Sequence, residues 1–140
     1  MACCEFWHIW KGEHHASGGF RCGRRGSGTI TCEWLGDFFL RGDAVYTSPL
    51  GSYNALQIMG YDADEKAYTW HRYFSYGKSD SFKGSVKNHT RTSVSEEQPG
   101  WRSRCTMIEE SEDVITFKWE RSPEGGPWEP SLEFSAMRVR

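Results

Sequence analysis

Histidine and tyrosine side chains that could exchange protons near neutral pH occur in two short segments. His71 and Tyr73 are two residues apart, so on a β-strand they share one face, where a His–Tyr pair can move protons to or from a carbonyl compound. His14 and His15 are adjacent and would point to opposite faces of a strand, which argues against a two-histidine metal site. His71, Tyr73 and His14 are therefore the candidate acid–base residues, and we predict no metal site. The alternatives are a packed His71 bonded to Tyr or backbone and a solvent-exposed strand end at His14.

Charged residues inside apolar segments are the second informative class. Most of them belong to solvated faces, because burying an unpaired charge is costly. An inward Arg72 or Arg104 would need a carboxylate such as Glu133 or Glu33 to offset its desolvation. Such an Arg–Glu pair could anchor the carboxylate or phenolate of a ligand.

The chain is unusually rich in aromatic residues, with seven Trp, six Tyr and eight Phe. A small β-domain can bury these rings in its core, but an aromatic-lined cavity would give the same composition. We expect the ligand-binding positions of such a cavity among the rings and charges of the alternating segments: Trp34, Tyr46, Trp70, Arg72, Arg104, Phe117, Trp119 and Glu133.

The element that positions many of these residues is a predicted β-hairpin over residues 56–77. Its two aromatic-rich arms flank Asp62-Ala63-Asp64-Glu65, a polar tetrad typical of a type I turn. In the second arm, Tyr68, Trp70, Arg72 and Phe74 share one face, and His71 and Tyr73 share the other. Since both faces carry rings, we expect both to contact something, as in a barrel wall.

The remaining chain contains further short alternating segments separated by turn residues. Ile30, Cys32 and Trp34 are predicted to point inward from one strand. The glycine-rich segment 17–28 is predicted to be a loop, and its part 18–26 is interpreted as a mobile portal loop. No segment has convincing helical periodicity, apart from a turn of helix or an irregular cap over residues 2–8. The pattern predicts one all-β domain over residues 1–140: an antiparallel up-and-down barrel of about ten strands with a central cavity.

Composition limits the classes of partner and the compartment. The net charge of −2 gives no field that would attract nucleic acid, and no apolar segment is long enough to suggest a membrane span. The five cysteines are odd in number and include adjacent Cys3 and Cys4, with no Cys-x-x-Cys pair, which argues against a disulfide framework and a zinc site. Together with the lack of an apolar leader, this favours a reduced, cytoplasmic protein.

Several segments occur in the order expected for a known group of proteins. They are Met59-Gly-Tyr-Asp62, Lys66-Ala-Tyr68, Tyr73-Phe-Ser-Tyr-Gly77, Lys83-Gly84, Arg102-Ser-Arg104, Phe117-Lys-Trp-Glu-Arg-Ser122 and Glu124-Gly-Gly-Pro-Trp128. With these segments the chain resembles a bacterial family of uncharacterised lipocalin-like (calycin) barrels. The resemblance implies an antiparallel barrel of about ten strands with an internal cavity, and it implies no established activity.

The sequence departs from that family at two places. Arg91 and Ser93 stand near positions where the family tends to carry Trp. Smaller or polar side chains there could widen or polarise the cavity, or could mark this strand as a sheet edge. The helix that usually precedes the first strand is also short here, which leaves open how one barrel end is closed.

Three functional hypotheses follow. The favoured one is a binding module for a small hydrophobic or aromatic molecule, with no cofactor, no nucleic acid and no membrane partner; a homodimer is left open. The second is a cofactor-independent lyase, isomerase, cyclase or hydrolase that uses His71, Tyr73 or His14. The third is a haem barrel of the nitrobindin type, disfavoured because the expected glycine-rich start is replaced by Trp10-Lys-Gly-Glu and the last histidine is His89.

Overall fold

In the computed structural model of the protein, the described strands form a single antiparallel sheet that closes on itself. The structure describes residues 12–20, 25–48, 51–95 and 100–138, and only the backbone of residues 12–20, 25, 26 and 48. The strands are β1 (Gly12–Phe20), β2 (Arg25–Leu35), β3 (Phe39–Ser48), β4 (Gly51–Asp62), β5 (Ala67–Phe74), β6 (Ser79–Lys87), β7 (Thr90–Ser95), β8 (Trp101–Glu109), β9 (Val114–Pro123) and β10 (Glu129–Arg138).

Each strand pairs with the strands before and after it in the chain, and β1 also pairs with β10, so the sheet closes into a barrel. Closure leaves no sheet edge among the ten described strands, and it needs no covering layer of helices. The predicted up-and-down barrel of about ten strands is therefore confirmed. In the described ranges there is no helix of the length and apolar character that a membrane crossing requires.

The connections alternate between two ends of the barrel. The upper end is the one that carries the β5–β6 turn at 75–78 and the β9–β10 connection at 124–128. The lower end carries the tight turns at 36–38, 63–66 and 110–113. Most side chains discussed below lie in the upper half.

The hairpin over residues 56–77 has the predicted form. Asp62 Oδ1 accepts hydrogen bonds from the backbone N–H groups of Asp64 at 2.9 Å and Glu65 at 3.2 Å, which fixes the turn. Lys66 completes it at φ 53°, and β5 then runs back along β4 with Trp70 opposite Met59. The sequence tetrad therefore sets the register that decides which β5 side chains face inward.

The loop predicted over the glycine-rich segment 17–28 is wrong in its extent. β1 continues to Phe20 and β2 begins at Arg25, so most of the segment belongs to strands. A Cβ on Gly28 would lie 2.6 Å from the Val45 carbonyl oxygen and 2.8 Å from Tyr46 Cδ1. Glycine is needed there for close packing of the wall, and such a glycine resembles a loop glycine in sequence.

The buried members of the alternating strands form the core of the barrel. The predicted inward orientation of Ile30 and Cys32 is confirmed, and Trp34 on the same face packs against the core while staying partly exposed. The buried apolar residues are Ile30, Cys32, Leu40, Ala44, Ala55, Met59, Tyr68, Trp70, Phe82, Cys105, Met107, Ile115, Phe117 and Ala136.

β7 is unusual because its buried positions are polar. Arg91, Ser93 and Ser95 are buried, and the strand pairs with both β6 and β8. The interpretation of this strand as a sheet edge is therefore wrong, and the alternative of a polar interior holds. The cap predicted over residues 2–8 lies outside the described residues.

Candidate ligand-binding site

Three polar side chains meet on the inner wall because the hairpin register places them side by side. Gln57 on β4, Arg72 on β5 and Asp80 on β6 are direct cross-strand neighbours. Residues directly opposite on paired strands point to the same side of the sheet, and Trp70 on this face of β5 is buried. Together with nearby rings they form the lumen site, which comprises Tyr46, Tyr53, Gln57, Trp70, Arg72, Phe74, Asp80, Phe82 and Trp119.

Arg72 and Asp80 form a two-point ion pair inside the barrel. Arg72 Nε donates to Asp80 Oδ1 at 2.8 Å, and Nη2 donates to Oδ2 at 2.5 Å. The two side chains keep 17% and 19% of their exposure, so water reaches them although they face inward. A bidentate geometry of this kind fixes the guanidinium plane as well as its position.

Aromatic rings surround the guanidinium. Arg72 Cζ lies 4.7 Å from the ring centroid of Trp119, 4.9 Å from those of Trp70 and Phe74, and 5.0 Å from that of Phe82. Cation–π attraction in such a partly desolvated setting stabilises an inward Arg that water alone would not hold.

Three of these rings form a cluster below the ion pair. Trp70 lies 5.0 Å from Phe82 and 5.6 Å from Trp119, and Phe82 lies 5.7 Å from Trp119 between centroids. Trp70 and Phe82 are buried, in contrast to the ion pair directly above them. The three-ring cluster therefore lies on the buried side of the ion pair, and we call it the floor of the lumen site.

Gln57 holds part of the wall in a fixed arrangement. Its Oε1 accepts a hydrogen bond from Trp70 Nε1 at 2.8 Å, and its Nε2 donates to the Tyr46 hydroxyl at the longer distance of 3.5 Å. The buried amide thus uses both of its ends, which fixes the orientation of the Trp70 indole.

Tyrosines line the approach from the upper end. Tyr53 contacts Tyr46 at 5.1 Å, Phe74 at 6.0 Å and Tyr76 at 5.6 Å between ring centroids. Burial raises the pKa of Tyr46 to about 12 and also raises the pKa of Tyr53, with nearby Arg72 opposing the shift in both. Both hydroxyls are therefore protonated at neutral pH and can donate hydrogen bonds.

A second arginine lies inside the barrel, on β7. Arg91 is fully buried, its Nε donates to Ser93 Oγ at 2.8 Å, and its Cζ lies 5.6 Å from the Tyr68 ring centroid. Burial lowers the pKa of Arg91 to about 9, so the group remains charged at neutral pH. Burial also raises the pKa of the neighbouring Cys105 thiol to about 12, which makes it a poor nucleophile.

The structure places six of the predicted ligand-binding residues on the inner wall: Trp34, Tyr46, Trp70, Arg72, Phe117 and Trp119. Tyr46, Trp70, Arg72 and Trp119 belong to the lumen site. Phe117 lies apart from the ion pair and stacks on Phe134, with 4.5 Å between the ring centroids. Trp34 packs at the edge of the core, apart from the lumen site.

The expectation that Arg104 and Glu133 line the cavity is wrong. Arg104 lies on the outer wall, where it forms a two-point ion pair with Glu120 at 3.0 and 2.9 Å and lies 4.4 Å from the Trp128 ring centroid. Glu133 is exposed on the same outer side, opposite Lys118. Arg104 alternates with the buried Cys105, and Glu133 alternates with Phe134, which packs against the core, so both charged side chains point outward.

The acid–base candidates also need correction. His71 and Tyr73 alternate with the inward Trp70 and Arg72, so both point outward; His71 Nδ1 bonds Ser81 Oγ at 2.8 Å, and Tyr73 is exposed. They cannot act on a molecule held inside the barrel, and the enzyme hypothesis gains no support from them. The backbone of His14 pairs with Ile30 and Arg138, but its side chain lies outside the described part of the structure.

Sequence reasoning missed Asp80, Gln57, Tyr53, Phe74 and Phe82 as site residues. The pairing of Asp80 with Arg72 could have been predicted from the sequence, because a short turn at 75–78 places residues 72 and 80 opposite each other. Within the described ranges, no three His, Cys, Asp or Glu side chains are grouped as ligands for a metal ion.

Comparison with known proteins identifies the fold. No protein-family model and no curated protein matches the chain. The S-type phycobiliprotein lyase CPES from Guillardia theta is similar with a TM-score of 0.62 and 11% identity, over 97% of this chain and 92% of the lyase. Rv2717c from M. tuberculosis gives a TM-score of 0.62 and 9% identity, over 97% of this chain and 96% of that protein.

Redesigned barrels are similar as well. The barrel mFAP0, whose structure is bound to DFHBI, gives a TM-score of 0.55 and 10% identity, over 94% of this chain and all of that chain. Identities this low establish a shared β-barrel fold and nothing about activity.

Proposed function

We propose that this protein binds a small, mostly hydrophobic or aromatic molecule inside its barrel, at the lumen site. The observation that carries the proposal is the Arg72–Asp80 ion pair, which faces inward, remains partly exposed and lies among four aromatic rings. A few fixed polar groups on an apolar, aromatic wall are typical of small-molecule sites.

The exposure pattern supports a site that opens at the upper end. Water reaches Arg72 and Asp80, while Trp70 and Phe82 below them are buried. This gradient of exposure fits a ligand that enters past the tyrosines and rests on the three-ring cluster. A planar molecule in that space would replace water against ring surfaces, which favours binding.

Structural neighbours support the same proposal. A redesigned barrel of this fold is bound to the small aromatic molecule DFHBI, and another neighbour is a phycobiliprotein lyase. A barrel of this shape is thus compatible with an enclosed ligand. The sequence resemblance to uncharacterised lipocalin-like barrels leads us to propose further that the chain is a bacterial, cytoplasmic relative of that group.

A neutral probe tests lumen binding without involving charge. We expect the fluorescence of N-phenyl-1-naphthylamine to rise in the presence of the protein and to saturate with one molecule per chain. Trp119→Phe, within the lumen site, should weaken the Kd about threefold to tenfold, as expected for one lost aromatic contact. Trp128→Phe, on the outer wall, is the matched control and should leave the Kd unchanged.

The opposite pattern would overturn the proposal. Non-saturable fluorescence, or equal effects of the two substitutions, would mean that the probe adheres to the surface. Circular dichroism of both variants checks that each retains the β-barrel.

A further inference from the structure

The Arg72 guanidinium has hydrogen-bonding capacity that its ion pair does not use. Arg carries five N–H groups in one plane. The bonds to Asp80 use Nε and one hydrogen of Nη2, and among the described residues Asp80 is the only hydrogen-bond acceptor on Arg72. Within the described part of the chain, both Nη1 hydrogens and the second Nη2 hydrogen have no acceptor, and this Nη2 hydrogen and one Nη1 hydrogen form the end-on edge of the guanidinium.

The surroundings restrict how a ligand can contact this group. Ring centroids at 4.7 to 5.0 Å from Cζ occupy the space around the guanidinium carbon. A ligand ring thus finds apolar surface on Phe74 and Trp119, and it finds polar contact at the in-plane N–H edge. Two parallel N–H groups on that edge match the two oxygens of a planar acid group.

The other available polar groups of the site are also donors. The hydroxyls of Tyr46 and Tyr53 are protonated at neutral pH, and Tyr46 receives rather than gives a hydrogen bond in its contact with Gln57. The carboxylate of Asp80 is engaged by Arg72 through both of its oxygens. A ligand that enters therefore meets donors and a positive edge, in surroundings that weaken water's competition.

We propose that the ligand of the lumen site is a planar aromatic anion, with a carboxylate or phenolate bound end-on by Arg72 and its ring packed on the surrounding aromatics. This inference rests on the proposed function and adds the charge and shape of the ligand. A neutral aromatic molecule would use the rings alone. A cationic one would approach the same positive edge and bind worst.

Three probes with one ring system separate charge from ring contact. They are 2-naphthoate, its neutral methyl ester and (2-naphthylmethyl)ammonium, each titrated at fixed ionic strength by calorimetry and tryptophan quenching. We expect 2-naphthoate to bind about tenfold or more tightly than the ester, because hydrogen bonds to a charged group are the stronger ones. The ammonium compound should bind more weakly than the ester.

Variants of two arginines assign the preference to Arg72. Arg72→Lys keeps the positive charge but removes the planar edge, so it should lower the ratio of 2-naphthoate affinity to ester affinity at least threefold. Arg72→Met leaves Asp80 as the accessible charge and should make the ammonium compound the preferred probe. Arg104→Met is the matched control, since Arg104 holds the same kind of ion pair on the outer wall, and it should change none of the three affinities.

The outcomes distinguish the two proposals. If the ester and 2-naphthoate bind equally, or if Arg72→Lys keeps the full preference, the charge assignment is wrong while lumen binding stands. If no probe binds the wild-type protein at one site per chain, lumen binding is wrong and the charge assignment fails with it. Circular dichroism of each variant shows that its barrel is intact, and a double variant, Arg72→Met with Asp80→Asn, supplies a charge-free lumen if Arg72→Met alone does not fold.

Discussion

Two ion pairs on opposite sides of the barrel wall have nearly the same local chemistry. Arg72–Asp80 and Arg104–Glu120 each join directly opposite residues on neighbouring antiparallel strands through two hydrogen bonds. Their exposures are also similar, 17% and 19% against 29% and 26%. The inner pair lies among four rings, whereas the outer arginine contacts the ring of Trp128.

The difference between them comes from the side of the sheet and not from the residues of the pair. On the outer wall, bulk water solvates the N–H groups that the ion pair leaves unused, and the pair contributes little to stability. An ion pair inside the barrel lies in a restricted, partly desolvated space, where loss of the pair is more costly. In our proposal, the N–H groups that this pair leaves unused bind the ligand. Three pairs of substitutions and one single substitution test this contrast.

The largest contrast is expected between rings of the two environments. Phe82→Ala should reduce the free energy of unfolding by about 3–5 kcal/mol, because Phe82 is buried in the three-ring cluster and its removal leaves a cavity. Trp128→Ala should cost about 1 kcal/mol, since its contacts to Arg102 and Arg104 are on the outer wall. Urea unfolding measures both, and equal losses would contradict the separation into floor and outer surface.

The second contrast removes the negative partner of each pair. Asp80→Asn should cost about 2 kcal/mol, below the full value for a buried pair because water reaches the site. Glu120→Gln should cost less than about 1 kcal/mol. The same unfolding experiment decides the point, and a larger loss for Glu120→Gln would reverse our assignment of inner and outer wall.

The third contrast keeps the charge and removes the planar fork. Arg72→Lys should lower the free energy of unfolding by about 1 kcal/mol, since one of two charge-assisted hydrogen bonds and the ring contacts of the guanidinium are lost. Arg104→Lys should change it by less than about 0.5 kcal/mol. If the two values agree within error, the rings around Arg72 do not contribute as argued.

The smallest contrast uses pH and the carboxylate of Glu109, to which no arginine in the described ranges is paired. Glu109 bonds the exposed His89 at 3.2 Å through Oε2, and Oε1 is buried without a hydrogen-bond partner among the described residues. Burial raises the pKa of Glu109, so the folded state holds its proton more tightly than the unfolded state and this contribution to stability is lost as pH rises. Glu109→Gln should be more stable than wild type at pH 8, by less than about 1 kcal/mol.

The difference between the two proteins should shrink as pH falls and disappear below about pH 4, where the carboxyl is protonated in both the folded and the unfolded state. Paired unfolding curves across this range provide the measurement. A constant difference at all pH values would show that the carboxylate is not responsible.

The sequence predicted the local parts of this structure well. The tetrad at 62–65 and the alternation of β5 set a hairpin register that is independent of distant contacts, and the structure has both. The loop predicted at 17–28 was too long. Gly28 permits close strand packing against Val45 and Tyr46, and the sequence alone does not distinguish such a glycine from a loop glycine.

The sequence by itself determined the alternation of aromatic residues along the strands and the turns between the strands, because alternation and turn chemistry act over a few residues. Only the tertiary structure decided which face of each strand is the inside. Barrel closure put Arg72 in the lumen and Arg104 on the outer wall, and it turned His71 and Tyr73 outward. Which face points inward depends on how all ten strands share one interior. The residues of a single strand do not determine it when both faces carry rings and charges.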